Sequence, residues 1–199
     1  MPQLNFLFDG NLTEIDYTKR NIIHTMNQYS YCLLNNDIEF KNAILSSDIL
    51  LPDGIGICLL NYILFGKFPR KIAGADLHQH FLERLNENGG KCFYLGASEQ
   101  TLIKIKNRIT LEYPNIICET YSPPFKTSFS PEDNNKMIKK INAFMPDILW
   151  VGMTAPKQEK WVFANAKDLK VKTIASIGAV FDFFADRLSG AVLKNERDG

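Results

Sequence analysis

The sequence contains no long hydrophobic run. Its longest apolar stretch, residues 55–65, is broken by Gly56 and Asn61, whereas a membrane-spanning helix needs about 20 apolar residues in succession. The stretch reads as a buried helix, and any membrane contact is expected to be peripheral. No cationic, apolar leader opens the chain, so no signal peptide is expected. An excess of one charge is also missing. The 23 Lys+Arg against 22 Asp+Glu leave a net charge of +1, which removes any general electrostatic case for nucleic acid. No Cys-x-x-Cys occurs. Cys32, Cys58, Cys92 and Cys118 are far apart, each in or beside an apolar run, where a free thiol packs as a small hydrophobe. A reducing, cytoplasmic compartment is expected.

Several catalytic and binding signatures are absent too. Gly54-Ile55-Gly56 lacks the third glycine of a dinucleotide fingerprint, and no GxxxxGK[ST] phosphate loop is present. No Asp-x-Asp could hold a metal against a nucleotide diphosphate. His78 and His80 are two apart, on different sides of a helix, and His24 stands alone; no metal is expected. Neither GxSxG, a Ser-His-Asp order nor a reactive-cysteine context appears.

What is present is alternation. The 199 residues, 45% hydrophobic and 23% charged, suit one globular domain that buries roughly 70% of its unfolded surface. The first half is less regular. Residues 21–30 read as a strand ending in a loop, 38–47 as a helix, 49–51 as a short buried strand and 55–65 as a helix closed by Gly66 and Pro69. Asp76 caps a helix that runs to Asn88-Gly89-Gly90. The second half is clean: strands at 92–95, 116–121, 147–151 and 173–177, with helices after Ser98, after Ser130-Pro131, over 156–168 and from Val180. Strands alternating with helices predict parallel βαβ units, apolar on both faces of a covered sheet. The expected fold is α/β: a mainly parallel sheet with helices on both faces, plus a smaller N-terminal α/β lobe. The chain divides into halves 1–88 and 89–199 of one domain.

Three strands end in glycine plus a short loop, at Gly96, Gly152 and Gly178. In an open parallel sheet such ends converge on a crevice where ligands bind, and the helix amides that follow favour an anion such as a diphosphate. Glycine is also simply common in such turns. The run "TAPKQEKW" places Pro156 in a first helical turn and Lys157, Gln158 and Glu159 at the crevice mouth. Lysine there can meet a phosphate and glutamine a sugar or base; a capped helix with a solvated first turn fits equally well. Asp53, between Pro52 and Gly54, is the best candidate for proton chemistry. Local physics leaves open that it only caps the next helix, as Asp does well.

The runs "ILLPDGIGI" with "KIAGADL", "FYLGAS", "PDILWVGMTAPKQEKW" and "IGAVFDFFADR" resemble the TagA/WecG/CpsF family of bacterial glycosyltransferases, in family order and over nearly the whole chain. The resemblance implies a Rossmann-like fold and an inverting, metal-independent transfer without cofactor. The sugar would be N-acetylmannosamine or its uronic acid, moved from a UDP donor to undecaprenyl-diphosphate-linked N-acetylglucosamine. The setting would be teichoic acid or other cell-surface polysaccharide synthesis, in the cytoplasm, peripheral at the inner face of the membrane. It implies Asp53 as general base, and Thr25, Asn27 and Gln158 as substrate contacts. Gly54 would belong to the base turn, Gly96, Gly152 and Gly178 would line the UDP pocket with Pro156, Lys157 and Glu159, and Asp182 would lie near that pocket.

Family members continue past the "FDF" run with a basic and aromatic tail that meets the membrane and the diphosphate. Here Ala185-Asp186 replaces the usual Ala-Gly and the chain stops at Gly199; Arg187, Lys194 and Arg197 do not map onto that tail. A core without it would expose apolar surface and self-associate as a homo-oligomer. Two alternatives follow. One is a non-catalytic nucleotide-binding module or tail-less inactive subunit, which would bind nucleotide without transfer. The other is a nicotinamide enzyme, disfavoured by the missing fingerprint.

Overall fold

Short strands that are apolar on both sides can be buried only between two layers of helices. The computed structural model, which describes residues 7–186, has that arrangement. In chain order the elements are β1 (Asn21–Met26), α1 (Gln28–Leu33), α2 (Ile38–Leu45), β2 (Ile49–Pro52), α3 (Ile55–Phe65), α4 (Gly74–Asn88) and β3 (Gly90–Gly96). They continue with α5 (Glu99–Glu112), β4 (Ile116–Tyr121), α6 (Pro131–Phe144), β5 (Ile148–Gly152), α7 (Lys157–Asn165), β6 (Thr173–Ser176) and α8 (Gly178–Asp186). The strands form one sheet in the order β2-β1-β6-β5-β3-β4, and every pairing is parallel.

The Rossmann-like α/β architecture is therefore as expected. The N-terminal lobe is different: it is an extension of the same sheet. β1 pairs with β6 in the register Ile23↔Ala175, and β2 completes that edge. Pairing of this kind joins residues 152 apart in sequence and leaves no local trace. On one face, α4, α5 and α8 cover Cys92, Tyr94 and Trp150 with Leu77, Phe81, Leu102, Ile105 and Phe181. On the other, α6 and α7 cover Phe93, Leu95, Leu149 and Val151 with Met137, Ile141 and Val162. A third cluster packs α2 and α3 on Met26 and Leu50 near the β2 edge.

The helices α5 and α6 begin as the sequence predicts, whereas α8 begins at Gly178, two residues before the expected Val180. Ser98 Oγ accepts from Thr101 N at 3.1 Å, and Ser130 and Asp133 cap each other reciprocally at 3.0 and 3.2 Å behind Pro131. Two further starts differ. α4 begins earlier, at Gly74, and Asp76 is in its first turn, where the carboxylate accepts from Ala73 N at 2.8 Å. The strand over 21–30 stops at Met26, and Asn27 caps the unexpected α1 by accepting from Ser30 N at 2.9 Å. That helix is short and polar, with no apolar period to announce it. Pro156 is the N-cap of α7 rather than its first residue, after a cis Ala155–Pro156 bond. Cys32 is exposed, while the other three cysteines are buried as expected.

Candidate active site

The carboxyl ends of the strands open onto a cavity of about 980 Å³. Its place follows from topology. From β3 the chain moves one way to β4 and the other way to β5, with α5 and α6 on opposite faces, so a crevice forms where the order reverses. Gly96 and Gly152 are register partners across that point. The cavity gathers Thr25 and Asn27 from the end of β1, Asp53 from the end of β2, Gly96, Gly152 and Gly178, the α7 start from Pro156 to Glu159, and Asp182. Sites widely separated in sequence thus meet in one volume. Gly54 is the exception: it does not line the cavity but forms the α3 N-cap behind Asp53, at φ +126°. A second cavity, of about 480 Å³, abuts the first at Pro156 and Lys157.

Asp53 does not cap α3, because that helix starts from Gly54 with no side-chain cap. Its own N–H donates to Met26 O at 2.8 Å, which fixes the turn and leaves the half-buried carboxyl facing the cavity. Burial pushes its pKa up, opposed by the Gly74 backbone amide and by Lys71, and reinforced by Asp76.

The three glycines line the crevice, but neighbouring protein atoms set their size. A Cβ on Gly96, at φ +121°, would lie 2.2 Å from Gly152 O. One on Gly152 would strike the Phe181 ring at 2.5 Å, and one on Gly178 would meet Gln158 Oε1 at 2.7 Å. Gln158 is buried; its Oε1 accepts from Gly178 N at 3.1 Å and its Nε2 donates to Glu159 Oε1 at 2.8 Å. It braces the β6–α8 turn to α7. Glu159 is 1% exposed, and its second oxygen has no partner among the described residues. Burial pushes its pKa to about 7, against the Gln158 hydrogen bond. Lys157 Nζ donates to Lys126 O and lies 3.9 Å from the Phe129 ring centroid; burial lowers its pKa. Asp182 is an exposed rim residue on α8, with no hydrogen-bond partner among the described residues.

Sequence reading missed the far wall. Ser98 and Thr101 at the start of α5, and the loop 122–129 with Ser122, Lys126 and Thr127, also line the cavity. Ser122 Oγ donates to Ala97 O at 2.8 Å, which ties that loop to the β3 end. Pro123-Pro124 marked a loop but nothing about where it folds. Among the described residues no three His, Cys, Asp or Glu side chains come together. Arg187, Lys194 and Arg197 lie outside the described residues.

The class of protein is defined by this arrangement: a parallel α/β protein with a crevice at its strand ends and one carboxylate facing in from an edge strand. The chain belongs to the WecG/TagA/CpsF family of glycosyl transferases, whose model matches residues 8–192. Among its relatives, the N-acetylglucosaminyldiphosphoundecaprenol N-acetyl-beta-D-mannosaminyltransferase of Bacillus subtilis (strain 168) is 28% identical over 92% of this chain and 73% of its own length. The protein of the same name from Bacillus spizizenii is 24% identical, covering 94% of this chain and 71% of the relative. That from Staphylococcus aureus (strain MRSA252) is 26% identical, covering 73% of this chain and 56% of the relative.

Proposed function

We propose that this protein transfers N-acetylmannosamine, or its uronic acid, from a UDP-sugar to undecaprenyl-diphosphate-linked N-acetylglucosamine, with inversion and without metal or cofactor. The product would enter teichoic acid or related cell-surface polysaccharide synthesis. The observation that carries this reading is Asp53 facing the same cavity as the N-terminal turns of α5 and α8. The names of the relatives supply the sugar and the acceptor.

In the proposed reaction the acceptor hydroxyl attacks the anomeric carbon of the donor from the face opposite the diphosphate. The new C–O bond forms as the bond to the diphosphate oxygen breaks. UDP leaves with the electron pair, and the hydroxyl proton passes to the Asp53 carboxylate. A carboxylate whose pKa is pushed up by burial is a better base near neutral pH than a solvated one. The α5 and α8 N-termini face the departing diphosphate with the positive ends of their helix dipoles, the electrostatic help a metal would otherwise supply, while the Gly178 amide itself is held by Gln158. Thr25 and Asn27 flank the base at the adjacent strand end and are assigned to the sugar. The acceptor's lipid implies work at a membrane surface, since no helix among the described residues is long and apolar enough to cross one.

The test is a ligand-observed NMR titration of UDP and of NAD in EDTA, on wild type and Gln158→Ala. UDP is expected to bind without metal, and about tenfold more weakly when the Gly178 brace is lost. Asp53→Asn is expected to keep UDP affinity and lose about 10²- to 10⁴-fold in transfer. NAD binding in place of UDP, or full activity in Asp53→Asn, would overturn the assignment.

A further inference from the structure

α3 is turned inside out. A surface helix ordinarily puts its polar side chains toward water. Here the one amide, Asn61, is 3% exposed and donates inward to Lys67 O at 2.7 Å. Ile55, Leu59, Tyr62 and Ile63, spaced as one stripe, are 51 to 70% exposed. The stripe continues past Gly66 into Phe68, which is exposed and packs edge-on to Tyr62 with ring centroids 6.4 Å apart. The helix carries no charge, and no acid occurs from Gly54 to Ala75, whereas Lys67, Arg70 and Lys71 follow directly and are all exposed. Contiguous apolar surface rimmed in this way marks an interaction site.

We propose that this face, with its three cations, is where the protein lies on an anionic lipid surface. An apolar stripe flanked by Lys and Arg is the pattern of a helix lying in the plane of a bilayer interface, with the apolar side chains among the acyl chains and the cations at the headgroups. A second copy of the chain fits less well. A self-complementary contact would bring Lys67, Arg70 and Lys71 of both copies to one apolar face, with Asp9, which accepts from Arg70 N, as the neighbouring acid. The position also suits the transferase reading, on which the functional meaning of this surface rests. Ile55 is two residues from Asp53, and Tyr29, exposed on α1, lines the cavity mouth beside the α3 start. The site thus opens beside the proposed lipid surface, where a lipid-linked acceptor would present its sugar.

The experiment is flotation of the full chain with vesicles of phosphatidylcholine and phosphatidylglycerol, and with phosphatidylcholine alone. Wild type is expected to float with the anionic vesicles and far less with the neutral ones. Leu59→Glu/Ile63→Glu is expected to lower partitioning at least ~50-fold, and Lys67→Glu at least about fivefold. Because these side chains are exposed, the melting temperature of the double variant should stay within a few degrees of wild type. Unchanged partitioning in the variants would overturn the proposal. So would a large drop in melting temperature, which would mean that the chain itself covers the face, or a wild-type dimer that the double variant dissociates without any vesicle binding. UDP titration without vesicles reads the transferase assignment separately. Flotation without UDP binding keeps the surface and removes the transferase; UDP binding without flotation removes the surface alone.

Discussion

Asp53 and Glu159 line the same cavity, and burial raises the pKa of both. Their surroundings separate them. The Gly74 amide and Lys71 pull Asp53 back toward ionisation, as a base requires, whereas Glu159 has only the Gln158 side chain and its own backbone to offset its burial. The folded protein holds the Glu159 proton to about pH 7, while the unfolded chain releases it near 4.5. The fold therefore binds more protons in that window, and stability present below it is lost as pH rises through it, by about 3 kcal/mol. Glu159→Gln should abolish this loss and be more stable than wild type at pH 8, read from melting temperatures between pH 5 and 8. Parallel curves for the two proteins would contradict it. His24 and His78 act in the opposite sense. Burial holds them neutral, with pKa values of about 4 and about 3, so they withdraw stability as pH falls below their unfolded value; they are common to both proteins and cancel in the comparison.

At the scale of elements, the crevice depends on strands and helices approaching more closely than a side chain allows. β3 and β5 meet at Gly96 and Gly152, and α8 presses the Phe181 ring onto Gly152. Gly96→Ala is expected to cost about 3 kcal/mol or more, since the new Cβ meets a carbonyl oxygen at a positive φ. Gly66→Ala is the control. Gly66 also has a positive φ, at +69°, but nothing stands within 4 Å of its Cβ position, so about 1 kcal/mol is expected. Urea unfolding of the two variants measures the difference, and equal losses would mean that backbone strain alone, not the β3–β5 approach, requires Gly96.

For the whole molecule, one sheet shared by both halves has a thermodynamic consequence. β1 and β2 are held by β6, and β6 is covered on its outer edge only by β1. Residues 1–88 should therefore not unfold as an independent unit. Far-ultraviolet circular dichroism and the fluorescence of Trp150 and Trp161, both buried in the second half, should lose signal in one coincident transition. A circular dichroism transition that precedes the fluorescence change would reveal a separate N-terminal unit.

Much of this protein was legible in its residues. Apolar runs four to six residues long, caps such as Ser98 and Ser130, and glycines closing three strands define local backbone states, and local states are what sequence encodes most directly. The "PDG" and "APKQEKW" runs identified the family, and Asp53 with the α7 start fell into one cavity. The tertiary structure alone decided what depends on contacts between distant segments. Pairing of β1 with β6 turned an expected lobe into a sheet edge. Register placed Cys92 beside Cys118, which spacing in sequence had put 26 residues apart. Packing showed that the crevice glycines make room for protein atoms, that Gln158 spends its amide on Gly178 and Glu159, and that Asp53 does not cap α3 because Gly54 holds that position. The apolar composition of 55–65 predicts a buried helix. Composition does not say which of two apolar faces finds a partner; only the fold shows that one faces the core and the other does not.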